Sequence, residues 1–223
     1  MKNSFVIYVL ILTLLQVKLF AQQKKDTIVN NGIYSSLYSY EIGQTKRVIY
    51  KLYKGGGACS REKEKFNFKR DSIIKKPSAD SDDYENTGYD MGHMANAEDF
   101  AYDCKKEALT FRYYNCVPQT PELNRGEWKK NETKIRELSQ KDSLIIICGG
   151  VFLKSSKPIK EGSKLIVPKY CYKVVISLST RKLIQCTLFD NNDQPKAKEI
   201  PLFDLEARVR FFFDRVLGFT IIY

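Results

Sequence analysis

The run Ser143-Leu-Ile-Ile-Ile-Cys148 limits the fold more than any other stretch of the chain. It is almost wholly apolar, so it reads as a strand buried on both faces at the centre of a sheet. Gly149 and Gly150 follow and read as its end. Residues 172–178 and 183–189 bracket Ser-Thr-Arg-Lys and read as a hairpin. Residues 47–53 alternate like a strand, and Gly55 to Gly57 release the chain after it. Two helices are expected beside these strands. One spans 124 to about 141 and carries Trp128, Ile135 and Leu138 on one side. The other spans 202–217, turns Leu205, Val209, Phe212, Phe213 and Val216 inward, and has Gly218 just past its end. The expected class is α+β: a mainly antiparallel sheet flanked by helices.

Residues 1–21 read as a secretory signal. Lys2 gives the positive start, Phe5 to Val17 is apolar, and Ala21 is a candidate cleavage point. An uncleaved N-terminal anchor is the alternative, although the run is short for a membrane span. One domain, 22–223, is expected to follow, exported to the periplasm or secreted, with no stable membrane association after cleavage. Residues 22–34 read as a polar leader. Residues 60–83 read as a long surface loop anchored by Phe66 and Phe68, its last part turn-rich.

The chain has 223 residues, 43% of them hydrophobic, which suits one globular domain and excludes a disordered one. Net charge is +11; without Lys2 and Lys18 it is +9. That surplus favours a polyanionic partner, nucleic acid being the commonest, and is equally the mark of a well-hydrated surface. Six cysteines permit disulfides in an exported chain. At least one bridge is expected, using Cys59 or Cys104, which lie in polar surroundings; the pairing is left open. Cys148 and Cys186 lie in apolar strands, where a buried thiol is common.

His93 is the only histidine, so any reaction needing a base near neutral pH has one ordinary candidate. It stands in Gly88-Tyr-Asp-Met-Gly-His93. A second stretch, Tyr114-Asn-Cys-Val-Pro-Gln119, leads to Leu123-Asn-Arg-Gly-Glu-Trp128 and on to Glu132. Asn124, Trp128 and Glu132 fall at i, i+4 and i+8, one face of a helix. Cleaving a phosphodiester needs a base for water and charge against the phosphorus and leaving oxygens. An imidazole can do the first, and a hard divalent cation the second. Mg²⁺ prefers oxygen ligands and keeps several waters, so the amide oxygen of Asn124 can suffice. Taken alone, Asn124 would be a helix cap and Glu132 a solvated helix residue.

The stretch Asp90-Met-Gly-His93 resembles the Asp-Arg-Gly-His signature of the DNA/RNA non-specific endonucleases, the ββα-metal or His-Me finger nucleases. Residues 114–119 resemble that family's Ser-Asn-x-x-Pro-Gln segment, and 123–128 its Leu-Asn-x-x-x-Trp segment. The resemblance implies a sugar-non-specific endonuclease that uses Mg²⁺ or Mn²⁺ on DNA and RNA and leaves 5′-phosphate ends. The ββα element would be formed by residues near 88–100 and 124–140. His93 would be the general base and Asn124 the metal ligand. Glu132 would hold waters around the metal, and Asn115 would support the site by hydrogen bonding. Asp90 would position the turn before His93. Arg61 is the candidate phosphate contact, with Lys63 and Lys65 as alternatives. Met91 departs from the pattern, which has Arg there, and removes a positive charge. Asn96 stands where Pro is common and reads as a modest loop change. Met91 motivates an alternative, an exported nucleic-acid-binding protein with a weakened or inactive site. A toxin delivered to rival cells is a third reading, and it would bring a protein inhibitor as partner.

Overall fold

The computed structural model describes residues 26–59, 66–74 and 79–223. Its frame is a seven-stranded sheet in the order β1-β2-β3-β6-β7-β8-β9, antiparallel at every pairing. The strands are β1 (Asp26–Asn30), β2 (Tyr34–Ser39), β3 (Gln44–Leu52), β6 (Leu144–Val151), β7 (Tyr170–Ser177), β8 (Leu183–Asp190) and β9 (Ala197–Glu199). A separate two-stranded ribbon pairs β4 (Asp90–His93) with β5 (Cys116–Gln119). Helices α1 (Ser81–Tyr84), α2 (Cys104–Thr110), α3 (Lys129–Ser139), α4 (Leu202–Val209) and α5 (Phe213–Leu217) complete the α+β fold.

The apolar run is β6, and every one of its eight residues is buried. Strand alternation splits it between two cores. Leu144, Ile146 and Cys148 join one cluster with Tyr50, Leu123, Trp128 and Ile135. Ile145, Ile147 and Val151 join another with Leu202, Leu205 and Phe213. The ribbon and α3 cover the first face; α4 and α5 cover the second.

Three expectations are corrected. Gly149 and Gly150 do not end the strand; β6 runs through them. A Cβ on Gly149 would stand 2.2 Å from the Lys46 carbonyl oxygen, so glycine is what lets β3 lie this close. The polar leader contains a strand that was not expected: Asp26–Asn30 pairs along β2 as the sheet edge, where one solvated face tolerates polar residues. The C-terminal helix is two, separated at Arg210, which is left-handed at φ 53°. The break turns Phe213 inward and leaves Phe212 and Val216 exposed. Arg47 then lies over the Phe211 ring at 3.6 Å, a cation–π contact across the second face.

Cys59 and Cys104 are disulfide-bonded, and the buried Cys116, Cys148, Cys171 and Cys186 are free thiols. Residues 1–21, and Arg61, Lys63 and Lys65, lie outside the described residues.

Candidate active site

The ribbon is built from non-adjacent pieces: Asp90 pairs with Gln119 and His93 with Cys116. The expected ββα element therefore needs 116–119 as its second strand. Separated sequence motifs conceal this, because strand pairing is set by register and not by proximity along the chain. A Cβ on Gly92 would meet the Gln119 side chain at 2.0 Å, so glycine before His93 lets Gln119 cross the ribbon.

Asn115 holds the chain just beyond His93. Its Oδ1 accepts from the Ala95 N–H at 2.8 Å, and its Nδ2 donates to the Ala95 and Thr110 carbonyls at 2.9 and 2.8 Å. Every polar atom of this fully buried amide is used. The His93 ring packs in a three-ring cluster with Phe68 at 4.6 Å and Phe111 at 4.7 Å between centroids, the first tilted and the second edge-on, so two aromatic contacts set its orientation.

The segment expected as one helix from Asn124 is kinked. Residues Leu123–Trp128 form a wide turn in which Gly126 leaves helical geometry (φ −103°, ψ −109°), and α3 follows directly. Asn124 thus stands before the kink, and Trp128 and Glu132 after it. Both parts of the segment dock on β4. The Trp128 indole N–H donates to the His93 carbonyl at 3.2 Å, and Asn124 Nδ2 donates to Asp90 Oδ2 at 2.9 Å. Asp90 also takes a bidentate pair from Arg125, at 2.8 and 2.7 Å. The side-chain bonds of Asp90 thus clamp the kinked segment through Asn124 and Arg125, where the expectation had Asp90 position the turn before His93. Burial pushes its carboxyl upward, but the hydrogen bonds from Arg125 and Asn124 outweigh this and hold it below the usual aspartate range. An ionised carboxylate only accepts, so it must receive the NH₂ of Asn124, leaving Oδ1 at the other end of the planar carboxamide.

Glu132 is buried, and both its oxygens are engaged. Oε1 accepts from Lys173 Nζ at 2.9 Å, and Oε2 from Asn96 Nδ2. Burial raises the Glu132 carboxyl above its usual range, and Lys173 opposes that rise. Lys173 is fully buried on β7, and its ammonium also stands 4.1 Å over the Trp128 ring. The network continues outward. Asn96 caps residues 97–100 through the Glu98 N–H. Arg136 binds Asp99 and Glu98 at 2.7 Å each, and Tyr50 donates to Asp99 at 2.8 Å. Asn96 is thus a structural tie between α3 and the ribbon loop, more than a loop change. Met91, half-buried, packs on an apolar cluster with Tyr84, Tyr113 and Cys116.

Residues 14–210 match the family described as DNA/RNA non-specific endonuclease. The chain belongs to the DNA/RNA non-specific endonuclease family. A nuclease from Nostoc sp. is 36% identical over 97 residues, covering 44% of this chain and 35% of that protein. The mitochondrial nuclease EXOG of Xenopus laevis is 31% identical over 144 residues, covering 59% of this chain and 40% of that protein. Human mitochondrial endonuclease G is 27% identical over 142 residues, covering 59% and 48%. The matches thus span about a third to a half of these relatives' length. A solved EndoG/EndoGI complex aligns with TM-score 0.69 and 22% identity, over 84% of this chain and 85% of that one, which establishes the shared fold.

Enzymes of the DNA/RNA non-specific endonuclease family are metal-dependent in general. The residues present here suit a hard cation. Asn124 has its amide nitrogen committed to Asp90 and its oxygen opposite. Among the described residues no three His, Cys, Asp or Glu side chains gather as a metal-holding group. Lys173, Asn96, Asp99, Arg125 and Arg136 were not expected at the site. One signal did exist for Lys173: it is a lone charge in the apolar stretch Tyr170-Cys-Tyr-Lys-Val-Val-Ile176, on the face shared with Cys171 and Val175. Arg125 carries no such signal, because its partner is distant in sequence.

Proposed function

We propose that the protein is a metal-dependent, sugar-non-specific endonuclease that hydrolyses phosphodiester bonds in DNA and RNA to 5′-phosphate products. The observation that supports this best is the double docking of the kinked segment on β4. Asn124 meets Asp90 and Trp128 meets the His93 carbonyl, so carboxamide and imidazole are carried by one small rigid unit. When bound through Asn124 Oδ1, Mg²⁺ or Mn²⁺ would supply positive charge to the phosphate and the leaving 3′ oxygen. The chain's own residues do the rest. His93 takes the proton from the water that attacks phosphorus in line. Phe68 and Phe111 hold the imidazole in place, and Asn115 fixes the backbone that follows it. Asp90 and Arg125 orient Asn124. Lys173 and Asn96 fix Glu132, whose remaining lone pairs can order nearby water. Arg61 enters as a phosphate contact on the resemblance alone.

Export, with residues 1–21 as a cleaved signal and 22–223 as the domain, is part of the same proposal. The Cys59–Cys104 bond suits an oxidising compartment. The related fold in the EndoG/EndoGI complex is that of an inhibited enzyme, which supports a protein inhibitor as a partner here. The test is digestion of plasmid and RNA by the purified domain with Mg²⁺ or Mn²⁺. Cleavage that EDTA stops and His93→Ala abolishes is expected; undiminished cleavage by His93→Ala would remove the mechanism. Met91, packed against apolar side chains, keeps the second reading alive, a nucleic-acid binder with a weakened site. Intact plasmid that nevertheless binds with steep salt dependence would decide for it.

A further inference from the structure

Between β6 and β7 the chain makes a finger, residues 153–169. It contributes no strand to the sheet, and backbone bonds within it, with ties to its neighbours, hold its shape. Pro158 bridges Ile166, Ile159 N–H donates to the Leu165 carbonyl at 2.8 Å, and Val167 N–H to the Lys157 carbonyl at 2.9 Å. Ser163 Oγ donates to Asp83 Oδ1 at 3.0 Å, and Lys160 Nζ to the Asp82 carbonyl, tying the finger to α1. Its two faces differ completely. Ile159 and Leu165 are buried in the apolar cluster that receives Met91 and Phe68. Lys154, Lys157, Lys160, Lys164 and Lys169 are all exposed, against one acid within the finger, Glu161. The acids of the neighbouring α1 and its caps, Asp80, Asp82, Asp83 and Glu85, lie at the end tied by Lys160 and Ser163. Among the described residues none of the five lysines pairs with a carboxylate.

The cluster under the finger fixes where this charge lies. Met91 and His93 are two residues apart on β4, so their side chains leave the same face of the ribbon. Phe68 touches the His93 ring and also packs on the finger's cluster. The finger that carries the lysines therefore packs, by its apolar side, beside the ribbon face that carries the candidate base. Five ammonium groups without carboxylate partners raise the local concentration of a polyanion. Met91 supplies the apolar seat for the finger where a charged side chain would not pack.

We propose that the finger is a docking surface for the phosphodiester backbone beside the scissile bond, with Lys154, Lys157 and Lys164 meeting successive phosphates and Lys160 anchoring the finger to α1. It rests on the nuclease reading for its place in the reaction, but its test is binding. The full domain carrying His93→Ala, which keeps the DNA intact, is titrated with a labelled duplex between about 50 and 200 mM salt. Replacing Lys154, Lys157 and Lys164 together by Gln should flatten the slope of log K against log salt by about 0.9 per lost phosphate contact, up to about 2.7. Replacing Lys182, in the β7–β8 hairpin, with Lys196 and Lys198, at β9, likewise by Gln is the control of equal charge. A slope change no larger than the control's overturns the proposal. With His93 intact, the finger variant should raise KM on plasmid while its rate on bis(4-nitrophenyl) phosphate stays that of the unmodified domain. Equal loss on both substrates would place the lysines at the reacting centre and also overturn it. If the unmodified domain cuts neither substrate, the nuclease reading falls, and the binding slopes still decide the finger. Stronger lysine-dependent binding to anionic lipid vesicles than to the duplex would overturn the choice of partner.

Discussion

The two faces of the β6–β7 pair are the same backbone under two different chemistries. Toward α4 and α5 the strands send Ile145, Ile147, Tyr172, Val174 and Ile176 into an apolar cluster. Toward the ribbon they send Leu144, Ile146, Cys148, Cys171 and Val175, and in their midst Lys173. One face is held by apolar burial with Arg47 stacked on Phe211, the other by burial plus a hydrogen-bonded chain running from Lys173 through Glu132 and the neutral Asn96 to Arg136 and Asp99. A buried ion pair adds little net stability over an apolar pair, but it holds its members in one geometry. That is what a site needs and what a plain core does not.

The comparison is tested most strongly by activity. His93→Ala should lower plasmid cleavage by about 10²–10⁴-fold, with a urea midpoint near that of the unmodified domain. A large loss of stability instead would mean that the ring serves packing. Next is Lys173→Met, which strands Glu132 in the core and should cost ~3–5 kcal/mol in urea unfolding. Adding Glu132→Leu should return most of that stability without returning cleavage. Recovery of both would reduce the pair to a packing element. On the other face, Leu205→Ala should cost ~2–5 kcal/mol for a cavity beneath a fully buried leucine, while kcat/KM below the melting range stays unchanged.

Smaller effects follow at the clamp. Asp90→Asn removes the charge and replaces one of the two acceptor oxygens that hold Asn124 and Arg125 by an NH₂, and should weaken Mn²⁺ binding by about 10–100-fold in calorimetry. Unchanged affinity would separate Asp90 from the metal. The smallest effect is in pH. The Asp90 carboxyl is held below its ordinary range when folded, so its clamp adds stability that is complete above the unfolded aspartate value. That contribution is lost only as pH falls through the lowered folded value. Asp90→Asn should therefore lower stability at neutral pH and leave little difference once pH has fallen below the lowered folded value; an equal loss at every pH would contradict the assignment.

The long elements were legible in the sequence because their signals are local. The run at 143–148 and the hairpin at 172–189 appear as β6, β7 and β8. The bridge at Cys59 or Cys104 joins those two residues to each other. What escaped depended on register or on partners far along the chain. Residues 116–119 look like a motif and prove to be the strand opposite His93. Leu202 to Leu217 has helical spacing throughout, yet Arg210 turns left-handed so that Phe213 can reach the second core.

Composition and periodicity alone determined an α+β domain with one available imidazole, a carboxamide at a helix start and an excess of cations. Only the tertiary structure decided what each polar group faces. Asn124 is oriented by Asp90, 34 residues away, and Glu132 is paired with Lys173, 41 residues away. The reason is physical: apolar spacing is written every two or four residues, whereas the partner of a buried charge is whichever distant strand the packing brings within hydrogen-bond reach.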